Sequence, residues 1–194
     1  MPVPRHSFIV LEDHPLVLGA ITDHLSTAFP GATIAYKGAQ LLEALEQAES
    51  SEATCAIVDL DLGDGRTPAE TVLHLRDAGI PVVMISAHEQ ALFVQGAVIA
   101  GASAYVPKRS IIDQLAEAVS AAELHEPWLS PDFAAVLVPV EGSTVALDAL
   151  AERALVLYAA GLPTSMIASR TGIEADEVRP LLESVIQAYR SPDH

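Results

Sequence analysis

The sequence predicts an α/β protein: a doubly wound five-stranded parallel sheet followed by a small all-α domain. Three observations predict it. Residues 7–125 alternate five times between a short apolar run and a helix-period segment, the pattern of parallel strands joined by crossover helices. The runs are brief and nearly all apolar, as expected where both faces of a strand are covered. From residue 147 onward the periodicity is helical alone.

The strands are expected at 8–11, 32–36, 55–58, 82–85 and 104–106, with helices at 17–29, 39–49, 69–78, 90–100 and 111–124. Turn residues punctuate the units: Pro30-Gly31, Gly63-Asp64-Gly65, Gly79-Ile80-Pro81 and Gly101. Residues 126–146 read as a linker, broken by Pro127, Pro131, Pro139 and Gly142, with 133–138 apolar enough for one short packed helix. The chain thus divides at 1–125, 126–146 and 147–194. In the last part, helices are expected over 147–160, 164–170 and from Glu174 toward Tyr189. Gly161 and Pro163 separate the first two, and Thr171-Gly172-Ile173 forms the tight turn of a helix-turn-helix outline. Pro180 lacks an N–H and clashes with a preceding turn, so the last helix either starts late or is kinked.

Composition excludes several classes. The formal charge of −16 repels nucleic acid and anionic membrane at long range. It is spread through both parts: seventeen acids against six bases over 1–126, and seven against four over 147–194. No apolar run approaches the roughly 20 residues that cross a bilayer, and the N-terminus lacks the order of a secretory signal, so no membrane association is expected. The single cysteine, Cys55, lies in an apolar run and reads as an inert buried thiol suited to a reducing cytoplasm.

Ligands of open parallel sheets bind beyond the carboxyl ends of the strands, so the residues that end each strand matter most. The first ends in Glu12-Asp13, the third in Asp59 followed by Leu60-Asp61, and the fourth in Ser86-Ala87; the fifth leads into Pro107-Lys108. Carboxylates that converge repel unless a cation compensates. A hard divalent ion such as Mg²⁺ takes such oxygens together with a phosphate oxygen, and Lys108 adds a second positive charge. The set suits phosphoryl transfer to a carboxylate nucleophile. Asp13 also stands where it could cap the helix near Pro15. His14 and His88 flank the site and are assigned no role.

These residues, in this order, resemble the receiver domain of two-component response regulators, which has a flavodoxin-like fold. The resemblance covers residues 7–125. It implies phosphate transfer from a histidine kinase or phosphotransfer protein onto Asp59. Mg²⁺ would be held by Glu12, Asp13, Asp59 and the backbone carbonyl of Asp61, with Ser86 and Lys108 on the phosphoryl oxygens. Tyr105 falls on the aromatic switch position, its ring turning inward as Ser86 moves. Such a protein undergoes self-phosphorylation and slow autodephosphorylation and is not a metabolic enzyme. Arg109 follows Lys108 where many receivers have proline. The Asp59-Leu60-Asp61 run also fits the Asp-x-Asp signature of haloacid-dehalogenase-type phosphatases, although that motif follows the first strand and leaves Glu12-Asp13 unexplained.

The C-terminal part resembles the DNA-binding domain of NarL/FixJ (LuxR-type) regulators through Leu155, Gly161-Leu162, Ile167-Ala168, Gly172-Ile173 and Val178; Trp128-Leu129-Ser130-Pro131 resembles the linker of that subfamily. The resemblance implies transcription regulation by DNA binding, with Arg170 and Arg179 as candidate contacts. Glu174, Asp176 and Glu177 oppose it, since they face phosphate with the wrong sign at the start of the reading helix. Two outputs therefore stand: DNA binding, or a domain that acts through a homodimer or another protein partner. A basic patch joining Arg170, Arg179 and Arg190 would favour the first.

Overall fold

A computed structural model of the chain describes residues 6–87 and 90–190. Five parallel strands form one sheet: β1 (Ser7–Leu11), β2 (Thr33–Gly38), β3 (Cys55–Asp59), β4 (Val82–Ser86) and β5 (Ala104–Pro107), in the order β2-β1-β3-β4-β5. The helices between them are α1 (Pro15–Ala28), α2 (Leu41–Ser51), α3 (Pro68–Asp77) and α4 (Ala91–Ala100); α5 (Ile111–Glu123) follows a single 3₁₀ turn at Lys108–Ser110. The expected five-fold alternation is observed, with most boundaries displaced by one or two residues. The strand order reverses direction between β1 and β3, which opens a crevice at their carboxyl ends.

The three central strands and β5 are fully buried along their length. Burying each Val, Ile or Leu of these runs is worth about 1.5–3 kcal/mol. The expectation of burial on both faces fails for β2, all six of whose residues are partly or wholly exposed. The reason is topological: β2 is an edge, paired only to β1. β5 is also an edge, yet it is buried, because a further helix, α6 (Pro131–Leu137), lies against it. An uncovered strand edge exposes unpaired backbone groups; here the chain covers one of its two edges with its own linker.

Local signals account for the helix starts. Thr67 and Glu70 form a reciprocal capping box at α3. Ser130 accepts from Phe133 N–H at α6, and Asp148 accepts from the N–H groups of Leu150 and Ala151 at α7 (Ala149–Ala159). Two more helices follow, α8 (Thr164–Thr171) and α9 (Val178–Arg190). α9 starts four residues later than the sequence pattern suggests. Pro180 is its third residue, within the first turn, where a missing N–H costs nothing. Residues 175–177 form a turn instead, closed by Glu177 N–H on Glu174 O and by Glu174 N–H on the Glu177 carboxylate.

α9 buries Val178, Leu182, Val185, Ile186 and Tyr189, an apolar stripe at helical spacing. That stripe serves two neighbours. α9 packs on α7 and α8 within the C-terminal helices, and on α4 of the sheet domain. Tyr189 Oη donates to Leu137 O at the end of α6 (2.6 Å), and Arg190 donates to Ala102 O and Ser103 O in the turn before β5 (2.9 and 3.0 Å).

Candidate functional site

Register brings the polar residues together. Leu11 pairs with Val58, so one step further along both strands Glu12 meets Asp59. Asp59 pairs with Ile85, and Ser86 with Pro107, which sets Ser86 and Lys108 beside it. Glu12, Asp59 and Ser86 are buried, at 1%, 4% and 5% exposure, whereas Asp13 and the Asp61 side chain are exposed. The expected convergence of Glu12, Asp13, Asp59, Ser86 and Lys108 on one sheet edge is what the structure places there.

The Lys108 ammonium is shared, with Nζ 2.7 Å from Glu12 Oε2 and 2.8 Å from Asp59 Oδ2. Two buried carboxylates on one ammonium explain the titration of both partners. Burial pushes the Asp59 carboxyl above its ordinary range, and the charge of Glu12 adds to that, against the opposing hydrogen bond and charge of Lys108 and the Asp61 backbone N–H. Burial pulls the Lys108 ammonium down, but its hydrogen bonds and charge pairing with Asp59 and Glu12 together hold it above its ordinary range. The pocket thus favours the charge on Lys108 and disfavours the charge on Asp59.

The donor set fits a small hard cation. With Asp13, the pocket holds three carboxylates against one ammonium, and ligand atoms of Glu12, Asp13, His14 and Asp59 lie within 4.8 Å of one another. A divalent ion balances the remaining charge, and carboxylate oxygens are what such an ion takes. His14 is the member that sequence reasoning left without a role: its Nδ1 lies 2.6 Å from Asp13 Oδ1 and 3.1 Å from Glu12 Oε1. Its position immediately after the acidic pair was the available signal. His88 lies outside the described residues.

Two further connections lead away from the pocket. Tyr105 is fully buried on β5, its ring already inward and 6.2 Å from that of Phe133 on α6; Phe133 in turn stacks on Trp128. Arg109, next to Lys108, reaches Asp132 on α6 at 2.7 Å, and Ser110 Oγ and Gln114 Nε2 donate to the same carboxylate. On the other side of α6, buried Gln95 of α4 donates to Val136 O and Val138 O and accepts from Ser143 Oγ. Neither hub was anticipated. Gln95 was visible as the one polar side chain inside the apolar run 91–100, whereas Asp132 looked like an ordinary acid at a helix start.

Arg170, Arg179 and Arg190, the residues a basic patch would join, have separate surroundings. Arg170 is exposed at the end of α8. Arg179 lines a cleft of about 530 Å³ between α5 and the linker, together with Glu117, Glu126 and Tyr158. Arg190 is held by the Ala102 and Ser103 carbonyls in the turn before β5, as above. Cys55 is fully buried and burial pushes its thiol up, in line with the expected inert role. Among the described residues no helix is long and apolar enough to cross a membrane.

Comparison with known proteins agrees with this geometry. The family model described as the response regulator receiver domain matches residues 8–120. The transcriptional regulatory protein DesR of Bacillus subtilis is 23% identical over 185 residues, covering 93% of this chain and 88% of its own. A LuxR-family two-component response regulator from Aurantimonas sp. SI85-9A1 is 27% identical with a TM-score of 0.59, covering 68% of this chain and 94% of that one. The RcsB response regulator of Salmonella typhimurium, 15% identical, shares the fold over 99% of this chain and 95% of its own with a TM-score of 0.63. Asp59 also ends the third strand and not the first, and buried Glu12 shares its ammonium, which the phosphatase signature leaves unexplained. The chain belongs to the response regulator receiver-domain family, with further helices following the matched residues.

Proposed function

We propose that Asp59 is the phosphoacceptor of a cytoplasmic two-component transcription regulator, with units at 1–125, 126–146 and 147–194. The observation that carries this reading is the ammonium of Lys108, shared by two buried carboxylates at the carboxyl edge of the sheet. A carboxylate oxygen of Asp59 attacks the phosphorus of a phosphohistidine on a kinase or phosphotransfer partner. The phosphorus–nitrogen bond breaks and the imidazole leaves with its electron pair. Glu12, Asp13, Asp59 and the Asp61 carbonyl would hold Mg²⁺, which when bound offsets charge developing on the phosphoryl oxygens. Lys108 passes from the carboxylates toward a phosphoryl oxygen, and the Ser86 hydroxyl donates to another. Movement of Lys108 and Ser86 then reaches α6 through Arg109–Asp132 and Tyr105–Phe133. Phosphorylation acts by adding charge and acceptor oxygens that bias a two-state element; here that element is α6 with α9.

Release of α9 from α4 would free the helix-turn-helix for DNA, with Arg170 and Arg179 as its cationic contacts. The names of DesR and of the RcsB structures, one of them described as dimers bound to DNA, support a DNA-directed output. A second reading has one specific observation in its favour. Glu174, Asp176 and Glu177 occupy the exposed turn before α9, and Arg190 is taken by the receiver, which favours a protein partner or a homodimer. Both parts of the proposal are open to test. Incubation with acetyl phosphate and Mg²⁺ is expected to modify the wild-type chain and leave Asp59→Asn unmodified; equal labelling of the variant would remove Asp59 from its role. Retention of genomic DNA fragments, raised by beryllofluoride, would establish the DNA output, and absence of retention at low salt would favour the second reading.

A further inference from the structure

We propose that His14 is an additional metal ligand of this chain and biases its acidic pocket toward first-row transition ions such as Mn²⁺ over Mg²⁺. The inference rests on the pocket being a cation site, as proposed above, and adds a nitrogen donor to its oxygens.

Geometry is the first support. An octahedral ion with bonds of about 2.1 Å sets neighbouring ligands about 3.0 Å apart and opposite ones about 4.2 Å apart. His14 Nδ1 stands 3.1 Å from Glu12 Oε1, the spacing of neighbours on one ion, and 2.6 Å from Asp13 Oδ1, a hydrogen-bond distance at which the ion would replace the shared proton. The four donors from Glu12, Asp13, His14 and Asp59 span no more than 4.8 Å, so a small contraction closes them on a common centre.

The backbone supplies the second. His14 N–H donates to Glu12 Oε1 at 3.0 Å, and His14 O accepts from Leu18 N–H at 2.9 Å as α1 begins. Pro15 follows, with its backbone angle fixed by the ring. The residue is therefore held at both ends, and the imidazole needs no backbone change to ligate. Ligation requires a lone pair on Nδ1 and the proton on Nε2. The side chain is 68% exposed, so water can accept from Nε2–H.

Ion chemistry supplies the third. Imidazole suits Fe²⁺, Ni²⁺, Cu²⁺ and Zn²⁺, and the affinity of a mixed nitrogen–oxygen site rises from Mn²⁺ along that row, whereas Mg²⁺ keeps oxygen and water. With Mg²⁺ in the pocket, His14 would give way to water; with a first-row ion it would bind. A histidine that only hydrogen-bonds to Glu12 and Asp13 would support both ions equally.

The experiment is a Mn²⁺ titration of the full chain, followed by electron paramagnetic resonance, with Mg²⁺ as competitor and electron spin-echo modulation to detect directly bound nitrogen. Wild-type protein is expected to show ¹⁴N coupling to bound Mn²⁺. His14→Ala is expected to lose it, with Mn²⁺ affinity lower by about tenfold and Mg²⁺ affinity unchanged. His14 makes no side-chain cap bond to α1, so the variant should fold, and the wild-type spectrum needs no variant at all. Bound Mn²⁺ without nitrogen coupling, or an equal loss for both ions in His14→Ala, would overturn His14 as a ligand and leave the cation site standing. No Mn²⁺ binding by the wild-type chain would overturn both.

Discussion

The Asp59 pocket and helix α9 both combine charge with burial, and they do so in opposite ways. In the pocket the carboxylates of Glu12 and Asp59 are buried, and they share one ammonium, that of Lys108. On α9 the apolar stripe is buried, and the acids of residues 174–177 face solvent. The difference teaches where function can be read. A buried charge is costly unless paired, so the pocket has few structural explanations other than chemistry. An exposed acid at a helix start is sufficiently explained by the helix dipole, so α9 carries its meaning in what covers it.

The sharpest way to break this contrast is to remove the pocket's one ammonium. Lys108→Met leaves two buried carboxylates facing each other and is expected to destabilise the metal-free chain by about 3 kcal/mol, read by urea unfolding at pH 7. Mg²⁺ should restore part of the loss. An unchanged midpoint would mean that water already compensates the pair. The pH dependence carries the same information with a definite sign. The fold disfavours the charged form of Asp59, so this group lowers metal-free stability above its folded-state range. That penalty is relieved as the pH falls through that range toward the ordinary value of 3.8. Asp59→Asn should remove this component, so the difference between wild type and variant should shrink on acidification.

Much of the receiver was legible because parallel topology turns chain order into position. Once 8–11, 55–58 and 82–85 are strands, Glu12, Asp59 and Ser86 must share an edge, whatever the loops do. Helix α6 was visible as an apolar stretch, but its neighbours were not. Nothing in the periodicity of 91–100 says that Gln95 reaches Val136 O, forty-one residues away. The late start of α9 was decided by Pro180 together with the Glu174–Glu177 bonds, and only the first of these is a sequence signal. The buried face of α9 was legible as a stripe; its division between α7, α8 and α4 required the tertiary structure.

Two substitutions weaken the covering of α9 and α6 without touching the pocket. Gln95→Leu keeps the volume but abandons three hydrogen bonds, leaving buried carbonyls unpaired, and should cost about 2 kcal/mol. Amide exchange should rise across residues 131–143, while acetyl phosphate labelling of Asp59 persists. Tyr189→Phe deletes only the bond to Leu137 O and should cost about 1 kcal/mol, with faster exchange at the end of α9. If exchange in α6 and α9 rises no more than in α2, these contacts do not hold the C-terminal helices on the receiver.

The smallest expected change in stability is the most informative about output. Arg179 is 82% exposed on its side chain and lies 3.9 Å from Glu183, a surface pair. Such pairs contribute little, so Arg179→Ala should leave the unfolding midpoint within experimental error. Its effect on DNA is a separate matter. If α9 reads DNA once released, losing one cation should lower the slope of log affinity against log salt by about 1 and weaken binding to all sequences alike. If binding by the phosphorylated chain is unaffected by Arg179→Ala, α9 does not enter the groove at that residue. The acidic turn at 174–177 would then mark a surface for a protein, and the contrast between pocket and helix would extend from structure to partner.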